Sequence, residues 1–326
     1  MLQTVPLAIA AGIAGALLQA FMLALGPVVG ALPWFLAPVP LVAVGLARGT
    51  AAGAVAGLAG AVAFGGLSLS PAAAGLYVIM DALPAVVIVA LALRPAPDVG
   101  KPDPSRVEHW YPPGRILAWL MLFPPILIAA LALVAPSEGG GLFGLVRTTA
   151  AEVLDRMVAV GGASAPGLDE QTRTAMVDSA AAIVPGALAL SWGIRAMVAG
   201  MLAQALVRRL GQALRPSPAY IALALPAWYG PVYGVALLTA VLVSGDVGYV
   251  AWSAVVGLSL PFLLLGFKLV HVVARRMPHP TLLLVAFYIV FLSVSAVGII
   301  AMVLAGLVEY SATLRRRAAG RTSEDE

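Results

Sequence analysis

The sequence contains no cysteine and no asparagine, and only two lysines, Lys101 and Lys268. Without cysteine there is no disulfide, no thiol nucleophile and no thiolate metal site. The bias to Arg over Lys and the missing Asn reflect a GC-rich bacterial coding sequence and carry no mechanism. No Gly-x-x-x-x-Gly-Lys-Ser/Thr loop occurs, so the chain does not energise itself with ATP. His-Glu-x-x-His and Gly-x-Ser-x-Gly are also missing, and the expectation is a protein that is not an enzyme, with no cofactor and no metal. Charge is the scarcest commodity: 10% of 326 residues, against 61% hydrophobic and a mean hydropathy of +1.00. Soluble domains carry about 25% charged residues. So few charges do not coat a water-facing surface, and the chain reads as an all-α, polytopic transmembrane bundle. A net charge of +4 placed in short loops orients such a protein and does not mark a nucleic-acid partner.

A spanning helix needs roughly 20 apolar residues. Nine stretches come near that length: 4–25, 28–47, 50–68, 72–93, 115–134, 182–207, 219–243, 248–273 and 281–309. The first four form an N-terminal core over 1–93 of a single integral membrane domain. No Lys or Arg precedes the first stretch and no cleavage site follows it, so it is expected to stay as a span. Arg94, Lys101, Arg106 and Arg115, then Arg208, Arg209 and Arg215, then Arg275 and Arg276 all fall on one side if each intervening stretch crosses once. The positive-inside rule makes that side the cytoplasm of a bacterial inner membrane, together with the N-terminus and Arg48. The charged tail 310–326, with Arg315, Arg316, Arg317 and Arg321, returns to the same side only if 281–309 breaks near Ser293, Ser295 and Gly298 into a hairpin.

The stretch 26–70 has one charge, Arg48. Gly49, Gly53, Gly57 and Gly60 put small residues on one helix face, where a neighbouring backbone comes close. Residues 135–181 form the one long extracytoplasmic segment. Leu142, Leu145, Val146, Val153, Leu154 and Met157 recur at helical spacing among Arg147, Glu152, Asp155 and Arg156, which predicts an amphipathic helix: inert and flat at the interface, or a lid on the bundle. Gly161 to Gly167 reads as a link, and Asp169 as the cap of a further short helix. Trp110-Tyr111-Pro112-Pro113-Gly114-Arg115 reads as an interfacial anchor.

Charges at bilayer depth cost about 3 kcal/mol on insertion scales and are therefore informative. Asp81 and Arg195 are the two expected near mid-depth, and they have opposite sign. They are expected to face each other or share a polar cavity, either as a lock on helix register or as a site for a solute or protons. Pro84 frees a carbonyl beside Asp81, and Pro185 lies early in the Arg195 helix. Lys268 and His271 are expected to snorkel, Asp246 to sit at the outer boundary, and Gln19 and Gln204 to bond between helices. Pro226 to Pro231 bends the seventh stretch; Trp228, Tyr229 and Tyr233 line a cavity or lie at the interface.

Pro38-Val39-Pro40 with Gly45-Leu46-Ala47-Arg48-Gly49, the Trp110-to-Arg115 run, Gly266 before His271, and Gly306-Leu307-Val308-Glu309 ahead of Arg315-Arg316-Arg317 resemble the YybS-like predicted membrane proteins, a bacterial family of unknown function. The first half is also similar in pattern to the S components of energy-coupling-factor vitamin transporters, which bind substrate and rely on a coupling protein and ATPases. Ala10 and Ala14, or Gly12 and Ala16, in the first span suit such docking. The rod-shape protein MreD is thought to share a related plan. These likenesses imply a solute-binding or transport-related role with a partner membrane protein and a small-molecule solute, or alternatively a scaffold in envelope growth or division. For the first role the candidate substrate-binding residues are Asp81, Arg195, Trp228 and Tyr229.

Overall fold

A computed structural model describes residues 4–97, 103, 105–161 and 169–322. Lys101, most of the Gly161–Gly167 link and the last four residues of the tail lie outside the described residues. The described chain is about 85% helical and has no strand. Eight of its helices are long and apolar enough to cross a membrane, and a ninth apolar helix is shorter. In lipid every backbone donor and acceptor has to be paired internally, and helices do this within one segment.

The helices are α1 (Thr4–Leu36), α2 (Val39–Arg48), α3 (Thr50–Leu67), α4 (Pro71–Tyr77), α5 (Leu83–Ala92), α6 (Pro113–Val134), α7 (Gly141–Gly161), α8 (Glu170–Arg209), α9 (Tyr229–Leu242), α10 (Gly245–Leu258), α11 (Leu260–Ala274) and α12 (Pro280–Thr322). α1 bends at Gly26, where φ is 72°, and its second part leads through Ala37 and Pro38 into α2. A π-helical turn, Val78–Ala82, joins α4 to α5 and makes them one interrupted span.

Expectations for the sixth and seventh stretches need correction. The stretch 219–243 is helical only from Tyr229 apart from one turn at Tyr220–Ala222, because Pro218 and Pro226 hold their predecessors extended. The stretch 248–273 lies within one membrane-length span, Gly245–Ala274, with a one-residue break at Ser259 just before Pro261. The helix holding Arg195 starts at Glu170 and runs unbroken for 40 residues, about 60 Å at 1.5 Å per residue. Asp169 therefore caps α8 itself, accepting from the Thr172 N–H at 3.1 Å, and no separate short helix precedes the span. These bonds hold the Asp169 carboxyl below the usual carboxylate range. The ninth stretch is helical on both sides of Ser295, whose φ of 45° and ψ of −108° interrupt it.

The chain forms two compact units. The first comprises 1–120, 192–226 and 267–293; the second comprises 121–191, 227–266 and 294–326. In the first unit small residues bring backbones together. A Cβ on Gly12 would collide with the Ala56 carbonyl, and one on Gly57 would come within 2.8 Å of the Ala82 Cβ. Tyr77 lies across Gly60 of α3, and its hydroxyl also faces Gly15 of α1. A Cβ on Gly53 would lie 3.4 Å from the Gly45 Cα, and Gly49, at φ 99°, makes the turn between α2 and α3. Such slots suit lipid, where close van der Waals contact substitutes for a hydrophobic drive.

In the second unit, α7 packs by its termini and charges. Asp246, in the first turn of α10, accepts from the Leu142 N–H at 3.0 Å and so caps the start of α7. Arg147 reaches Asp178 at 2.6 Å and Asp155 reaches Arg173 at 2.9 Å, which ties α7 along the first turns of α8 as a helical hairpin. Tyr310 donates to the Ala227 carbonyl at 2.7 Å and accepts from the Gly230 N–H at 3.0 Å, which fixes the start of α9.

Candidate functional site: a buried guanidinium among proline-freed carbonyls

The polar centre of the first unit is built by proline. A residue in a helix normally donates its N–H to the carbonyl four positions earlier, and proline has none to give. Pro38 leaves the Trp34 carbonyl without that donor, and Pro84 does the same to Met80. Two side chains of α8, three positions apart and so on one face, supply the missing donors. Trp192 donates its indole N–H to the Met80 carbonyl at 3.2 Å. Arg195 donates to the Trp34 carbonyl from Nη2 at 2.8 Å and from Nε at 3.1 Å. The π-turn next to Pro84 carries Asp81, and its Oδ1 meets Arg195 Nη2 at 2.6 Å.

Gln19 Oε1 accepts from the same Nη2 at 3.1 Å, and the guanidinium carbon lies 4.5 Å from the Trp34 ring centroid. Arg195 is 2% exposed and Asp81 0%. Burying either ion alone would cost several kcal/mol, and the pairing with these extra acceptors offsets it. Within this cluster, Asp81 Oδ2 and the Tyr77 hydroxyl, one helical turn earlier on the same span, nonetheless stay buried without a hydrogen-bond partner among the described residues.

The other candidates lie elsewhere. Trp228 and Tyr229 belong to the second unit; Tyr229 is fully buried and donates to the Leu258 carbonyl at 2.9 Å. Gln204 does not bond to another helix. It turns to the loop after α8, donating to the Arg215 carbonyl at 3.0 Å and Ser217 Oγ at 3.3 Å. Lys268 reaches the Leu223 carbonyl at 3.0 Å, and His271 sits edge-on to Tyr220 and Tyr288, so both engage the protein and do not simply snorkel. Trp110 is buried rather than free to anchor at an interface.

Arg215, counted above only as a loop charge, is also buried and donates to the Ala92 carbonyl at 2.8 Å, a cation at the C-terminus of α5. Burial lowers its pKa to about 10, which leaves it charged at neutral pH. Its signal in the sequence was the following Pro216, which fixes the loop that turns it inward. No group of three or more His, Cys, Asp or Glu able to hold a metal occurs among the described residues.

Comparison with curated proteins and with solved structures gave no match. A family model does match, over residues 108–309, which takes in Arg195 but ends short of Asp81 on the N-terminal side. The match covers more than half of the 326 residues, and the chain belongs to the family described as predicted membrane protein (DUF2232).

Proposed function

We propose that this membrane protein is solute-binding or transport-related, without enzymatic activity, and that its polar centre is the group formed by Asp81, Arg195, Gln19, Trp34 and Tyr77. The supporting observation is that the group is not closed. A pure register lock would satisfy its own atoms, whereas Asp81 Oδ2 and the Tyr77 hydroxyl have no partner among the described residues. Interrupted helices around a buried charge are a recurrent way of building a solute site in a bilayer. The reading includes a bacterial inner-membrane location, both termini in the cytoplasm, and an energy-supplying partner protein of the kind that S components use.

A scaffold role in envelope growth is the second reading. It is favoured by the α7–α8 hairpin, whose charged side chains Glu152, Arg156 and Glu170 are exposed. The test is purification from native membranes with quantitative identification of protein and small-molecule companions, for wild type and for Tyr77→Phe. A small solute retained by wild type and reduced in the variant supports a solute site. Envelope-assembly proteins with no solute in either sample overturn it in favour of the scaffold.

A further inference from the structure

Among the described residues, the groups that hydrogen-bond to the Arg195 guanidinium are acceptors, and an aromatic face lies beside them. They are a carboxylate oxygen at 2.6 Å, a side-chain amide oxygen at 3.1 Å, a main-chain carbonyl at 2.8 Å and an indole face at 4.5 Å. They are carried by α1 and the π-turn and not by α8. Pro38 takes the usual helical donor from the Trp34 carbonyl and leaves it the Ala37 N–H at 3.2 Å, and Asp81 sits on the π-turn beside Pro84, where Trp192 bonds to Met80. The set also has more acceptor capacity than Arg195 uses, since Asp81 Oδ2 is left over. An aromatic face beside several acceptors favours a planar, forked cation. An anion placed here would meet carbonyl and carboxylate oxygens at close range.

From this we infer that the cluster is a cage for a guanidinium-type organic cation, that Arg195 occupies it as a tethered stand-in, and that the solute of this protein carries a guanidinium or amidinium head and no net negative charge. This rests on the reading of the cluster as a solute site. In this state α8 plugs the cage, and a solute cation takes it by displacing the Arg195 head.

Arg195→Ala empties the cage without altering Asp81, Pro38 or Pro84. Methylguanidinium chloride at about 10 mM raises the melting temperature of the purified full-length variant by about 3 °C or more above equal sodium chloride. Methylammonium, a point charge, gives a smaller shift, and Asp81→Ala with Arg195→Ala gives none. If Arg195→Ala does not accumulate in membranes, the same comparison is made on Arg195→Ser, whose short neutral side chain also leaves the acceptors open. No shift beyond sodium chloride in the variant that accumulates overturns the inference, as does an equal shift in the double variant. Rescue of the cage with no solute on the native protein keeps the cage and removes the transport reading. A co-purifying anionic solute keeps the transport reading and removes this one.

Discussion

The Asp81–Arg195 pair predicts non-additive stability losses of a definite size. Asp81→Ala leaves a guanidinium that is 2% exposed with only neutral acceptors. Breaking a buried pair on one side costs about 3–5 kcal/mol. Arg195→Ala costs a similar amount, because it strands the carboxylate and also takes the donor from Trp34 O and Gln19 Oε1. If the pair did not interact, the double variant would lose about 6–10 kcal/mol, the sum of those two figures. With both charges gone, the stranded ion disappears from each side. What is left is a cavity and one acceptor short of a donor, Gln19 Oε1, at about 1–3 kcal/mol, since the Trp34 carbonyl keeps the Ala37 N–H at 3.2 Å. The double variant is therefore expected to lose no more than either single one, about 3–5 kcal/mol, a coupling of at least about 1 kcal/mol. The assay is reversible unfolding of the purified protein in mixed micelles, with all four members of the cycle at one pH and salt. Losses that add within about 0.5 kcal/mol would show that 2.6 Å proximity carries no net interaction and would refute the reasoning.

Other substitutions read out the surroundings of the pair. Tyr77→Phe removes a buried hydroxyl that lacks a partner, so stability in the same assay is expected to hold or rise by up to about 1 kcal/mol; a loss above about 1 kcal/mol would mean the hydroxyl is bonded. Gly60→Ala drives a methyl into the Tyr77 ring and is expected to destabilise by about 1–3 kcal/mol, whereas Gly66→Ala, where nothing lies within 4 Å, is expected to change little. Asp246→Ala removes the cap of α7 and costs about 1 kcal/mol. Hydrogen exchange is expected to rise at Leu142 and Phe143 before it rises elsewhere in α7, and unchanged protection there would exclude the capping role.

The membrane class, the number of long apolar helices and the facing of Asp81 and Arg195 were legible because they follow from charge scarcity. In a chain this apolar, two opposite charges far from any loop leave few arrangements open. The Arg195 cage beyond Asp81 was hidden, since half of its acceptors are backbone. Pro38 and Pro84 announce freed carbonyls, but only the fold shows that α8 fills both. Tyr77 was within reach, one turn before Asp81 on the same face. The seventh stretch misled because hydropathy does not register proline: Pro226 keeps the helix short in a run that is apolar enough to span. Arg215 was hidden because a charge next to a helix end reads as solvated, and only the turn at Pro216 brings it inside.

The α7–α8 hairpin is held by two kinds of tie that respond differently to the medium around them. The ion pairs of Arg147 with Asp178 and of Asp155 with Arg173 are partly open to solvent, and dissolved ions weaken such pairs within a Debye length of roughly 8–10 Å. The Asp246 contact to the Leu142 amide is a short-range bond that screening affects much less. Brine would therefore unclasp the far end of α7 while its root stayed fixed to α10, which makes the hairpin a hinge whose stiffness is tuned by ambient salinity.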